Sequence, residues 1–357
     1  MAVSAQAGTL GFGAQTGKGS VATTWYRHRA SDVDLASLDD QRTGPPEVGG
    51  QPMPTIPYKG GVAVAGGAII NPRLEDTIGW LLYGAMGSVS SSTSGGTIGV
   101  HVFSPDTNSP EFIPWMSFRK HVTGLDGDLT KDIGEVYQDC KLAGFVFNLP
   151  NDGLISARLD ALGRIPSYDE APSAWSWSNT FEDYESLPIG VCTGGYIKVP
   201  SFSASELPVV SATVGIVNQP LPMNRERIYG SPYMRDITIV GRQLSVDLVL
   251  QWEDPALYRA IHTGSSSGAS TWSCAPFTTS LQVVAQSPSN MSGETEPYSL
   301  QVDAAEVMLS VQGGIRLAGN DAVMLRLTGV ALAQADPADY AKFTLKNLNT
   351  TGYTWPT

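Results

Sequence analysis

Apolar and polar positions alternate with a period of two along most of this chain. Leu244, Val246, Leu248 and Leu250 alternate with Ser245, Asp247, Val249 and Gln251, and Ala157, Leu159 and Ala161 alternate with Ser156, Arg158 and Asp160. That is the pattern of half-buried strands. Only two segments read as helices, 74–86 and 254–263. Each begins on carboxylates, which suit the positive end of a helix dipole, and each is followed by a stop signal, Gly87 or Gly264. Pro255 falls where a first turn tolerates proline.

The two helices expose an internal repeat. In the first half a strand over 60–70 leads into the first helix, and a Ser/Gly loop at 88–96 and a strand over 111–120 follow. A strand pair, 137–149 and 154–163, then closes through the Pro-Asn-Asp-Gly turn at 150–153. In the second half a strand over 240–252 leads into the second helix, a Ser/Gly loop at 265–270 and a strand over 278–286, before a pair at 298–311 and 321–329. Sliding Gly163 onto Gly329 puts Ala157, Leu159 and Ala161 on Val323, Leu325 and Leu327, so the inward faces superpose. The matching order predicts a duplicated β-domain. Apolar periodicity stops over 165–188, which reads as the join, and its aromatics Trp175, Trp177, Phe181 and Tyr184 predict packing on a surface. Both halves carry a long loop before the repeated strand, at 35–60 and 218–236; loops beyond about 12–15 residues are usually functional or ordered by a partner.

Composition narrows the class. At 357 residues the chain suits two domains, each able to bury a core, and 42% hydrophobic against 16% charged residues excludes wholesale disorder. The 38 Gly and 24 Pro residues fit a β-rich chain with many turns. With a net charge of −12, divided as −4 up to residue 165 and −8 beyond it, neither half grips phosphate, and contact with DNA is expected to be non-adhesive. Cys140, Cys192 and Cys274 lack disulfide or zinc spacing and read as three buried thiols of a cytosolically assembled protein. The sequence shows neither the charged start and apolar run of a signal peptide nor a membrane-length apolar stretch of roughly 18 residues, and reads as soluble.

Candidate chemistry fails on inspection. The segment 11–20 looks like a phosphate loop, but Phe12 and Gly19 stand where Gly and Ser or Thr are needed, and it reads as a flexible arm. The Gly-x-Ser-x-Gly at 264–268 follows a helix where a nucleophile elbow precedes one, and no histidine lies beyond His262. Asp126, Asp128, Thr130 and Asp132 alternate as in a calcium loop, yet Lys131 and Tyr137 occupy the places of its Gly and Glu. His28, His101, His121 and His262 lack metal-ligand spacing. The Glu75–Asp76 and Glu253–Asp254 pairs are explained by helix starts. No catalytic, cofactor or metal site is predicted, which points to assembly.

The strand with Gly67 running through Glu75, Asp76 and a short helix to Gly87, then the Tyr137-x-x-Cys140 strand paired with a strand ending at Gly163, resembles the tail tube proteins of long-tailed bacteriophages. The segments 209–222 and 241–264 resemble the corresponding parts in the second half. The resemblance implies a mainly β fold of two tandem β-sandwich domains related by internal duplication, each flanked by one short α-helix. Residues 1–165 would form the first with its N-terminal arm, and 166–357 the linker and the second. It further implies a structural virion protein of the phage tail, assembled in the host cytoplasm, without enzymatic activity or cofactor. Its rings would stack into a conduit for genomic DNA, with tape measure and tail-end proteins as partners. Rings of the family are built around six equivalent domains, so a two-domain chain implies trimeric, pseudo-sixfold rings. The rivals are a β-rich decoration or adhesin module that forms no tubes and, third, a hydrolase. Arg225, Arg227, Tyr229, Tyr233 and Arg235 are the candidate inter-subunit contacts, because Arg and Tyr favour interface centres.

Overall fold

The computed structural model describes residues 8–356 apart from 46–47, 49, 51–52, 54–55, 110, 125–128, 171, 173–174, 179–188, 191–193 and 316–321. Asp126, Asp128, Phe181, Tyr184, Cys192 and Asp321 therefore lie outside the described residues. The first half contains β1 (Thr9–Ala14), β2 (Tyr26–Arg27), β3 (Ala30–Val33), β4 (Ala36–Thr43), β5 (Pro57–Ile70), α1 (Asp76–Met86), β6 (Ser88–Ser94), β7 (Ile98–Ser104), β8 (Met116–Val122), β9 (Ile133–Leu149) and β10 (Ser156–Glu170). The second contains β11 (Tyr196–Val199), β12 (Ser203–Glu206), β13 (Val209–Pro220), β14 (Ile239–Gln251), α2 (Ala256–Thr263), β15 (Thr278–Asn290), β16 (Pro297–Val311), β17 (Met324–Ala331) and β18 (Lys342–Asn347). The chain is mainly β, as the alternation predicts.

Strands run side by side in the antiparallel order β4-β5-β10-β9-β13-β14-β17-β16, crossing both halves. The facing layer is β6-β7-β18-β16-β15-β11-β12, continued over the first half by β2-β1-β8-β9. The long strands β9 and β16 serve both layers. β9 pairs with β8 as far as Cys140 and with β13 from Gly144 onward. Among the described strands, two pairings join the halves, β9 to β13 and β7 to β18. The largest core cluster draws on both halves: Phe147 lies 4.9 Å from Phe145 and 6.3 Å from Phe343, between ring centroids.

Helix α1 buries Ile78, Leu81, Leu82, Ala85 and Met86, a 3, 4, 7, 8 spacing that puts one apolar stripe on the core. It stops at Gly87, which is left-handed at φ 96° and returns its N–H to Tyr83 O. At α2 the carboxylate of Asp254 accepts from Ala256 N–H at 2.8 Å, and Gly264 is again the left-handed stop. The C-terminal tail folds back over α1. Tyr353 stands edge-on to Trp80, Trp355 edge-on to Tyr83, and Trp355 Nε1 donates to Gln15 O at 2.9 Å.

Four expectations are corrected. The arm predicted over 11–20 begins as β1, paired along its length with β8. Gly11 and Gly13 break its alternation because the ring of Trp177 and the backbone of Thr24 lie where Cβ atoms would stand. The first Ser/Gly loop is strand β6, whose hydroxyl-rich residues are exposed while the apolar strand β7 holds them in register. Much of the loop at 35–60 is the β4–β5 hairpin. Cys140 is buried as expected, but Cys274 is exposed, in the loop after α2.

His28 supplies a test of the core. Its Nδ1 lies 2.9 Å from Thr77 Oγ1, and burial, helped by the charge of Arg73, holds its pKa down to about 4. Between an unfolded value near 6.5 and that folded value, the unfolded chain binds a proton that the folded chain refuses. Stability therefore falls as pH drops through this window. Wild type should lose up to about 3 kcal/mol more than His28→Gln between pH 7 and pH 4. Urea unfolding at several pH values reads the difference; parallel curves would remove His28 from the account.

Candidate assembly interface

Three features converge at one end of the sheet: a loop from the second half, a hairpin arm from the first, and a buried ion pair beneath them. The loop starts where β13 ends at Pro220. One turn of 3-10 helix (Met223–Arg225) and a bridge between Arg227 and Met234 shape it. Backbone and side chains pin it to the first half. Val62 N–H donates to Pro232 O at 2.9 Å, Arg164 Nε to Met234 O at 2.7 Å, and Lys141 Nζ to Ile237 O at 2.9 Å.

Arg227, proposed from sequence as a contact to another subunit, is engaged within its own chain. Its Nη1 donates to Gly60 O at 3.0 Å and approaches Asp40 Oδ2 at 3.4 Å. A Cβ on Gly61 would stand 3.0 Å from the guanidinium carbon, and Gly61 itself has φ 135°, so glycine is required twice over. Arg42, and Arg227 after it, hold the Asp40 carboxyl below the usual carboxylate range. Tyr233 is half-buried along a groove with Asp39, Lys59 and Tyr168, whereas Arg225, Tyr229 and Arg235 are exposed, Tyr229 completely.

The ion pair carries no sequence signature beyond a carboxylate within a strand. Asp139 is fully buried in β9 with φ 55°, accepts from Gly19 N–H at 2.7 Å through Oδ1, and pairs with Arg164 through Oδ2. Arg164 thus links β9, β10 and the loop at Met234.

The arm is the outer part of the β4–β5 hairpin. Every described residue from Gln41 to Lys59 is exposed except the half-buried Gly44, and these include Val48, Met53, Ile56 and Tyr58. Two of the aromatics of the join, Trp175 and Trp177, pack on the first half. Arg119 lies 3.7 Å from the Trp25 ring centroid and 4.9 Å from that of Trp175, Arg27 lies over Trp177 at 5.2 Å, and Ser178 N–H donates to Trp25 O.

On the solvent face of the long sheet, Asn148 stands opposite Thr213, Thr213 opposite Asp247 and Asp247 opposite Thr328. Arg158 on the same face is bonded to both Asp34 and Asp160. Short polar side chains and the doubly paired Arg158 keep positive charge sparse on this face among the described residues, where Arg326, opposite Val249, is also exposed. Of the acidic run at 126–132, Asp132 accepts from Gly124 N–H and from His121.

No curated protein matches the chain. A family model described as phage tail tube protein matches residues 5–331. Nearly the whole chain, including the long sheet, both helices, the arm and the loop, lies within that match. The chain belongs to the phage tail tube protein family, a structural family of the virion tail.

Proposed function

We propose that three copies of this chain close a ring by joining the two ends of the long sheet, β16 of one copy to β4 of the next, and that rings stack into a tube conducting DNA. The observation that carries this reading is the order of that sheet. It divides into β4-β5-β10-β9 and β13-β14-β17-β16, with the second strand of each set leading into a helix. Gly163 pairs with Cys140 and Gly329 with Leu309, and at each glycine the partner strand's side chain fills the space of the missing Cβ. These equivalences support a duplicated sandwich with units 1–165 and 166–357. The β9–β13 join within the chain then serves as a template for a join between the β16 side of one copy and β4 of the next, and closure removes the open edges.

Exposed Arg225, Tyr229 and Arg235 suit contacts between subunits, and the arm suits contact between rings. The role is structural, not catalytic, with assembly in the host cytoplasm and tape measure and tail-end proteins as partners. Electron cryo-microscopy of concentrated protein should show threefold rings with six similar lobes. Rings of six whole chains, or particles that stay monomeric, overturn the reading. The same tubes, titrated with duplex DNA at two ionic strengths, should show no binding; tight, salt-sensitive binding argues against a conduit.

A further inference from the structure

We infer that residues 348–356 form a latch whose docking on α1 controls the order of the candidate assembly loop at 220–237. The two are coupled through one turn, residues 15–20. The coupling stands on contacts within one chain, and its consequence for assembly rests on the role proposed above for the loop.

Side chains hold the latch. Strand β18 ends at Asn347, and from there the backbone crosses α1 outside any strand. Asn349 O accepts from His101 Nε2 at 2.8 Å, and Asn347 Nδ2 donates to Tyr353 OH at 3.0 Å. Tyr353 fills a notch that only glycine leaves open, since a Cβ on Gly79 would stand 2.0 Å from its ring. Docking also has a cost. Trp80 Nε1 and Gln15 Oε1, both on residues that Trp355 touches, are buried with no hydrogen-bond partner among the described residues, and a lifted latch lets water reach them. A segment with little backbone pairing, closed over orphaned polar atoms, opens well below global unfolding.

The turn connects latch and loop. Trp355 Nε1 donates to Gln15 O at 2.9 Å. Gln15 is fully buried; its N–H donates to Trp115 O at 3.0 Å and its Nε2 to Ser20 O, so one residue ties the latch to both ends of the turn. The far end of the turn meets the anchors of the loop. Gly19, left-handed at φ 87°, donates its N–H to Asp139 Oδ1 at 2.7 Å, and Asp139 holds Arg164, whose Nε donates to Met234 O. Lys18 lies 3.3 Å from Asp236 at the end of the loop. A turn bonded to the latch on one side and to the loop on the other orders each at the expense of less entropy when the other is already in place, which is a coupling free energy.

The test is hydrogen exchange, read by mass spectrometry, on the unassembled full chain. Trp355→Ala should speed exchange at least about tenfold in 348–356, in the turn and in 226–235, while β14 keeps its wild-type rates. Trp355→Phe keeps a ring against Tyr83 but cannot donate to Gln15 O. It should leave the latch amides near wild type and still speed the turn and the loop about fivefold, the effect of one hydrogen bond. Acceleration confined to 348–356 in Trp355→Ala, or a turn and loop that Trp355→Phe leaves unchanged, overturns the coupling. Equal acceleration in β14 overturns the latch, because the variant then only lowers global stability. If exchange follows the expected pattern and Trp355→Ala still forms tubes at the wild-type rate, the coupling holds and the role of the loop as an assembly contact fails instead.

Discussion

Asn218→Leu should lower the unfolding free energy by about 3 kcal/mol, the sum expected for a buried amide whose partners lose their bonds. Asn218 is fully buried. Its Nδ2 donates to Ala85 O at 3.0 Å and Leu142 O at 2.9 Å, and its Oδ1 accepts from Arg242 Nε at 2.9 Å. Arg242 in turn donates to Met86 O and Phe112 O. Ala85 and Met86 form the last turn of α1, where carbonyls have no partner within the helix. That turn contains no basic residue, and the second half of the chain supplies the cap. Burial pushes the Arg242 pKa down to about 10, still high enough to keep the guanidinium charged at neutral pH. Leucine roughly preserves the volume, so the loss reports the amide. Urea unfolding should show a lower midpoint with an unchanged slope. A loss under about 1 kcal/mol, within the ordinary range for a single hydrogen bond, would show that the clamp is incidental.

Arg164→Leu is expected to cost more, about 3–5 kcal/mol, because it strands the fully buried Asp139 carboxylate without its partner. The double variant with Asp139→Asn should recover over half of that loss. Asparagine tolerates the left-handed backbone of position 139 and keeps an oxygen for Gly19 N–H, while the uncompensated charge is gone. A double-mutant cycle measures the coupling. Additive losses would mean the two residues act separately. Limited proteolysis adds a local readout: with Met234 O deprived of Arg164, cleavage in the loop after Pro220 should quicken before global unfolding does.

Strands whose one face is buried were legible because alternation records that burial. β14, with Leu244, Val246, Leu248 and Leu250 all inward, begins and ends within one residue of its predicted bounds. Both helices were legible through their glycine stops. β1, β4 and β6 were not, since glycines replace side chains in the first and the other two have no apolar face; their partners β8, β5 and β7 make them strands. Arg227, Tyr229 and their neighbours stood out as a group by composition. The pairing of Arg227 with Asp40, and the anchoring of its loop by Arg164, depend on contacts between residues far apart in sequence, which no local pattern encodes.

The β9–β13 join has a consequence for the thermodynamics of building a ring. Any two separate molecules that associate lose translational and rotational freedom, at a cost of about 4–15 kcal/mol. Because β9 and β13 belong to one polypeptide, that joint forms during folding and does not depend on protein concentration. In a three-copy ring only alternate joints are left to mass action. In such a ring the internal and external joints would be made by different residues, so selection could strengthen one without altering the other.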